Sequence, residues 1–232
     1  HRTPLDVREK LAFDQDQVVD ALRKFSQQFP ETESVLLSTC NRVELYCASV
    51  KADKLPSSDL LGSFVAEYHS CPFPEVREQI TCHAGAEALK HLFMEAASLD
   101  SMIVGEAQIL SQVKAAYEHS THYSQLPKEL HYLFQKSLKN GKLVRSSYDV
   151  GRGMPDIEHA LIHLASEQLE LESARILFVG ASAINLKILS FLNSKKLPPL
   201  TLTNRTNEKA EAAAEKLSVS FLPWEQNQHW TH

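Results

Sequence analysis

From residue 175 onward, short apolar runs alternate with helical segments at a spacing that suits a parallel sheet. The run RILFVG at 175–180 leads into a helical pattern to Lys195, then LTLTN at 200–204, a helical pattern from Thr206 and a short strand at 219–222. Parallel neighbours need a crossover of a dozen or more residues, and the intervening helices supply it. With a helix predicted from about Met154 to Leu171, this stretch reads as a Rossmann-like domain that lacks strands at its C-terminal side.

The first two thirds carry a different pattern. Thr3-Pro4 suits a helix start, 14–29 has helical apolar spacing closed by Pro30, and 35–38 with 43–49 read as two strands. In the second strand Val43, Leu45 and Cys47 alternate with Glu44, Tyr46 and Ala48. A helix to about His69, a short strand at 79–82 and some seventy largely helical residues from Gly85 follow. The expected class is α/β: an α+β domain over 1–153 followed by a partial Rossmann-like domain over 154–232. A length of 232 residues with 43% hydrophobic content is enough for two cores.

Composition excludes several functions. No apolar run reaches the ~18 residues that cross a bilayer, and no secretory signal opens the chain. The expectation is therefore no membrane and a cytoplasmic location, or the plastid stroma in a plant. Four cysteines, at 40, 47, 71 and 82, are too few for a disulfide scaffold. The set His69, Cys71, Cys82 and His83 has none of the common zinc spacings, so no metal is expected. The chain begins at His1 rather than Met, which suggests a fragment.

The segment SVLLSTCNRVELYC places Cys40 at the junction of the two strands, with Asn41 and Arg42 after it. A strand end running into a polar turn exposes a thiol, and Arg42 with nearby backbone amides can stabilise its thiolate. Without that context the residue would be an ordinary small buried hydrophobe.

STCNRVELY, HLFMEAASLDSMIVGEAQILSQVK and HRTPLDVREKLAF together resemble the glutamyl-tRNA reductase family, and the resemblance runs from His1 through NRT at 204–206. It implies that Cys40 attacks the glutamyl ester of glutamyl-tRNA to form a thioester, which NADPH reduces to glutamate 1-semialdehyde. Thioester chemistry suits the task, because a carboxylate resists hydride addition and a thioester does not. The substrate's free carboxylate needs a cation, and Arg42 offers a planar fork. The resemblance places Ser101, Glu106, Gln108 and Gln112 at the substrate, with Ala107 among them and Thr39 and Asn41 completing the turn; Glu106 and Gln108 suit the α-ammonium. On the pattern alone Glu106, Gln108 and Gln112 are the solvated face of a helix. The resemblance also makes His91 the acid–base partner, where an isolated histidine on an apolar helix is more often a packing residue. Two positions depart from the family: Ala107 stands for its usual proline and Ser98 for its usual glycine.

The loop ILFVGASAIN has the placement of a dinucleotide fingerprint but keeps only Gly180, with Ser182 and Asn185 in the other two glycine positions. A structural turn explains it equally well. The second strand ends in Asn204, Arg205 and Thr206, and an arginine there favours the 2′-phosphate of NADP over NAD. The cofactor expectation is NADPH along Gly180, Ala181, Ser182, Ala183, Ile184 and Asn185, together with Asn204, Arg205 and Thr206. On the other reading 204–206 is an ordinary helix start.

Lys136, Lys139, Lys142, Arg145 and Arg152 form the most basic stretch of a chain with net charge −5, either a solvated face or a footprint for tRNA. The resemblance further implies a homodimer through a C-terminal region absent from this chain, and glutamate 1-semialdehyde aminomutase as partner. Alternatives left open are a cysteine-dependent aldehyde dehydrogenase or thioesterase-like enzyme, and a non-catalytic tRNA- or haem-binding regulator.

Overall fold

The computed structural model describes residues 3–39, 41–101, 104–123, 128–148, 150, 156–195 and 199–229. The chain divides into two compact units, His1–Arg152 and Gly153–His232. No helix among the described residues is long and apolar enough to cross a membrane.

In the first unit, α1 (Leu5–Leu11) begins one residue later than expected, with Pro4 in extended backbone at its N-cap. Helix α2 (Gln15–Gln28) opens with a capping box: the Gln17 amide donates to Asp14 Oδ1 at 2.8 Å, and the Asp14 amide donates to Gln17 Oε1 at 2.9 Å. β1 (Glu33–Ser38) and β2 (Val43–Ala48) pair antiparallel, with Ser38 opposite Val43 and Leu37 opposite Glu44. Because strand side chains alternate, the ribbon has two faces. Leu36, Val43, Leu45 and Cys47 pack with α2 and with Phe64 of α3 (Ser58–Tyr68). Val35, Leu37, Tyr46 and Ala48 face Leu92, Ile109, Val113 and Phe134. These last residues belong to α5 (Ala86–Ala96), α6 (Ala107–Tyr123) and α7 (Lys128–Ser147).

The strand expected at 79–82 does not form. After the short α4 (Phe73–Val76), residues Arg77–Gln79 make a 3-10 turn, and Ile80 packs against the cluster of Leu11, Ala66 and Val76. Its apolar character reflects burial against helices, with no neighbouring strand to pair with.

In the second unit, α8 (Ile157–Ser166) is capped by Asp156, whose Oδ1 accepts from the His159 amide at 3.1 Å. It stops short of Leu171, since the Gln168 and Leu169 amides turn back to the Ala165 carbonyl. Leu164 and Leu169 stay exposed, so a longer helix would gain no burial. β3 (Ile176–Val179), β4 (Leu200–Thr203) and β5 (Ser220–Phe221) form a parallel sheet in that order, linked by α9 (Ala183–Ser194) and α10 (Asn207–Leu217). Phe178, Leu189, Leu192, Leu200, Leu202 and Ala210 build its core. The strand–helix alternation read from the sequence is thus realised as a three-stranded parallel sheet.

Candidate active site

The turn that closes the β1–β2 hairpin is organised by Thr39. Its amide donates to the Arg42 carbonyl at 2.8 Å, and its Oγ1 accepts from the amides of Asn41 and Arg42, each at 3.2 Å. Asn41 Oδ1 in turn accepts from Arg8 at 3.3 Å. Cys40 lies outside the described residues. Cys47, on the buried side of β2, has a thiol that burial pushes well above the usual range, so it is held as a neutral packing group.

Alternation along β2 puts Glu44 and Tyr46 on the helix-facing side, where they meet His91 and Glu95 of α5. His91 and Glu95 are four residues apart, which places them on one helix face. Arg42 is the hub. Its Nη1 contacts Glu95 Oε2 and lies 3.2 Å from Glu44 Oε1 and 3.4 Å from Asp100 Oδ2, while Nη2 donates to the Asp100 carbonyl. His91 Nε2 lies 2.9 Å from Glu44 Oε1, and its Nδ1 is 3.8 Å from Asp100 Oδ2. The His83 ring stacks on His91 at a centroid distance of 5.2 Å.

The charges are unevenly shared. The hydrogen bond to Glu44 raises the His91 pKa above its ordinary value despite partial burial. Burial would raise Glu44, but the bonds from His91 and Tyr46 outweigh it and hold that carboxylate low. Glu95 behaves differently. Burial, reinforced by the charge of Glu44, pushes it up to about 7 against the pull of Arg42. A carboxylate beside a guanidinium ordinarily sits low; complete desolvation and a second nearby carboxylate reverse that here.

The structure therefore brings together Arg42 and His91 from the sequence reading and adds Glu44, Glu95 and Asp100, which that reading missed. The remaining candidates lie around the loop after α5. Ser101 Oγ donates to the Ser98 carbonyl at 3.0 Å. The Glu106 carbonyl accepts from Ser98 Oγ at 2.8 Å and from Arg145 at 2.9 Å. Ala107 opens α6, Gln108 is exposed, and Gln112 keeps a buried Oε1 with no hydrogen-bond partner among the described residues.

Ser98 stands where the resemblance leads one to expect glycine. It adopts φ +59°, the left-handed region that favours glycine and costs another residue about 1–2 kcal/mol. The hydroxyl offsets that cost by tying Glu106 and Arg145 to the loop. Arg145 is thereby turned inward, which removes it from the basic face; Lys136, Lys139 and Lys142 remain exposed on α7, and Arg152 lies outside the described residues.

In the second unit the two loops of the nucleotide reading meet each other. The Gly180 amide donates to the Thr203 carbonyl at 2.7 Å, and the Ala181 amide donates to Asn204 Oδ1 at 3.0 Å. Gly180 has φ +100°, a turn suited to glycine. Ser182 caps α9, its Oγ accepting from the Asn185 amide, and Asn185 Nδ2 folds back onto the carbonyls of Val179 and Gly180. Ala183 and Ile184 form the first turn of α9, and Arg205 and Thr206 are exposed beyond β4. A dinucleotide phosphate would meet the Ser182 hydroxyl and the N-terminal amides of α9 at one end and, at the other, the exposed Arg205, which has no ion pair among the described residues. The departure is at Ser182, whose hydroxyl takes an amide that a phosphate oxygen would otherwise reach.

Residues 1–148 match the family described as "Glutamyl-tRNAGlu reductase, N-terminal domain". The chain is 34% identical over 225 residues to the glutamyl-tRNA reductase of Neisseria meningitidis serogroup B, covering 96% of this chain and 52% of that protein. It is 32% identical over 224 residues to the enzyme of Pseudoalteromonas translucida, covering 96% and 53%. Among solved structures, glutamyl-tRNA reductase from Methanopyrus kandleri matches with a TM-score of 0.63 and 29% identity over 97% of this chain and 52% of that one. The chain spans about half the length of these relatives. With a family match over most of the first unit and relatives along both units, the chain belongs to the glutamyl-tRNA reductase family.

Proposed function

We propose that the chain contributes the catalytic and cofactor-binding parts of an NADPH-dependent glutamyl-tRNA reductase, the enzyme that makes glutamate 1-semialdehyde at the first step of tetrapyrrole biosynthesis. The observation that carries this reading is the network of Arg42, Glu44, His91 and Asp100 beside the 39–42 turn. It sets a cation for the substrate's side-chain carboxylate next to an imidazole able to move a proton.

In this reading the Cys40 thiolate attacks the ester carbonyl of glutamyl-tRNA. A carbon–sulfur bond forms, the carbon–oxygen bond to the ribose breaks, and the departing ribose oxygen takes a proton. His91, held by Glu44, is the group assigned to accept the thiol proton and return it to that oxygen. Its raised pKa favours the protonated form, which suits the second half of that task. Arg42 orients the carboxylate, and Glu106 and Gln108 are assigned to the α-ammonium. NADPH, when bound, supplies the hydride that takes the thioester to the aldehyde. Gly180, Ser182 and the α9 amides would hold its pyrophosphate, and Arg205 its 2′-phosphate. The exposed Lys136, Lys139 and Lys142 form the cationic footprint for the tRNA backbone, and no carboxylate pairs with them among the described residues. The reactive aldehyde would pass to glutamate 1-semialdehyde aminomutase.

The test supplies the protein with glutamyl-tRNA and either NADPH or NADH. Turnover with NADPH is expected, and Arg205→Ala should raise the KM for NADPH roughly tenfold while leaving that for NADH unchanged, because one charge-assisted contact to a phosphate is worth about 1.4 kcal/mol. Equal use of both cofactors by the unaltered protein, or an Arg205→Ala variant with unchanged NADPH kinetics, would contradict the cofactor assignment.

A further inference from the structure

The guanidinium assigned to the substrate is already engaged by the chain itself. Arg42 Nη1 is shared among Glu44, Glu95 and Asp100, and Nη2 is spent on the Asp100 carbonyl. These three carboxylates are not equivalent. Glu44 is also held by Tyr46 and His91, and the Asp100 side chain is 40% exposed. Glu95 is 0% exposed, pairs with no cation except Arg42 among the described residues, and has a second oxygen, Oε1, without a hydrogen-bond partner.

Resting on the substrate reading above, we propose that Glu95 is a built-in competitor for the substrate-binding cation: a carboxylate carried by the chain that occupies Arg42 and must take up a proton before a substrate carboxylate can bind there. Two anions cannot share one desolvated guanidinium at ordinary cost, since each arrives with a like charge at close range. A proton from solvent resolves the conflict. It converts Glu95 to the neutral acid, whose Oε1 is available to carry it, and it leaves the net charge of the site unchanged when the ligand's carboxylate enters. Glu95 also stands close to this state, with its pKa raised to about 7 by burial and by Glu44. The charged groups facing it are Arg42 from the 39–42 turn, Glu44 from β2, His91 from α5 and Asp100 just beyond α5, together with the Tyr46 hydroxyl; Arg145 of α7 is directed to Ser98 and Glu106 instead.

The probe is a stable substrate analogue, adenosine whose 3′-oxygen is replaced by nitrogen and acylated with glutamate, titrated calorimetrically at pH 6 and pH 8. An acid titrating near 7 is protonated in about nine tenths of molecules at pH 6 and about one tenth at pH 8, so affinity should fall about tenfold between them. Binding at pH 8 should take up close to one proton per ligand, read from the dependence of the enthalpy on buffer ionisation. At pH 8 Glu95→Gln should bind about tenfold more tightly than the unaltered protein, without that proton uptake. Titration of the probe's amine is common to both proteins and cancels when they are compared at one pH.

Absence of proton uptake in the unaltered protein would overturn the proposal, as would weaker or unchanged binding by Glu95→Gln; the first of these needs no variant to fold. Arg42→Ala separates this from the underlying reading: loss of probe binding there supports Arg42 as the carboxylate's partner whatever Glu95 does, and full binding removes that assignment.

Discussion

Replacing Gly141 with alanine should destabilise the first unit by roughly 3 kcal/mol, although alanine is the better helix former by about 1 kcal/mol. A Cβ at this position would lie 2.3 Å from the Ala96 carbonyl oxygen and 2.8 Å from its carbon. Both are backbone atoms, so no rotamer change relieves the overlap, and α5 would have to move away from α7. Leu110 Cδ1, at 3.2 Å, closes another side. Calorimetry should show a fall in Tm on the order of 10 °C for a unit of this size. Gly85→Ala is the control. Its φ of +55° with ψ −127° strains alanine by roughly 1–3 kcal/mol, but no atom beyond its chain neighbours lies within 4 Å of the added carbon, so no helix has to move and the affinity for the substrate analogue should be kept. Because α5 carries His91 and Glu95, the Gly141 variant should also lose affinity for the substrate analogue at temperatures where it is still folded.

The second large effect is expected from Arg42→Ala. It strands three carboxylates, one of them wholly buried, and breaking a buried ion pair from one side costs about 3–5 kcal/mol. The loss should depend on pH. Glu95 in the folded unaltered protein titrates near 7, above the model-peptide value of 4.5, so its contribution to stability is complete below about 4.5 and is lost as pH rises through 7. By that linkage the unaltered protein gives up about 2–3 kcal/mol between pH 5 and pH 8. Without Arg42 the folded value of Glu95 moves higher still, and the decline continues past pH 8. Denaturant unfolding at pH 6 and pH 8 should therefore show a larger penalty at pH 8, and Arg42→Ala/Glu95→Gln should recover much of it. A penalty of the same size at both pH values would show that the Glu95 carboxylate does not depend on that guanidinium.

Much of this architecture was legible because burial writes itself into periodicity. The alternation of Val43, Leu45 and Cys47 against Glu44, Tyr46 and Ala48 reports the two faces of the β1–β2 ribbon, and the apolar runs ending at Gly180 and Asn204 report strands covered by helices. The apolar signal failed at 79–82, where Ile80 is half-buried against helices. A short apolar run records burial but not the neighbour that provides it.

At the site, Arg42 and His91 were found from the thiol's surroundings and the family resemblance, whereas Glu44 and Glu95 were passed over. The signals were present. Glu44 is the one charged residue on the helix-facing side of β2, and Glu95 follows His91 by four positions on a helix otherwise apolar around it. A carboxylate in such a place needs a cationic partner from another element, and only the fold shows that the partner is Arg42. Arg145 illustrates the converse: its three-residue spacing with the lysines suggested a common basic face, but α7 turns it toward the Ser98 loop.

The central claim is that Cys40 carries the glutamyl group. Mixing the protein with glutamyl-tRNA in the absence of NADPH, quenching in acid and mapping peptides by mass spectrometry tests it directly. A glutamyl adduct on Cys40 that hydroxylamine removes, and that Cys40→Ser abolishes along with turnover, is the expected result. No adduct, an adduct confined to Cys47, Cys71 or Cys82, or full turnover by Cys40→Ser would contradict it.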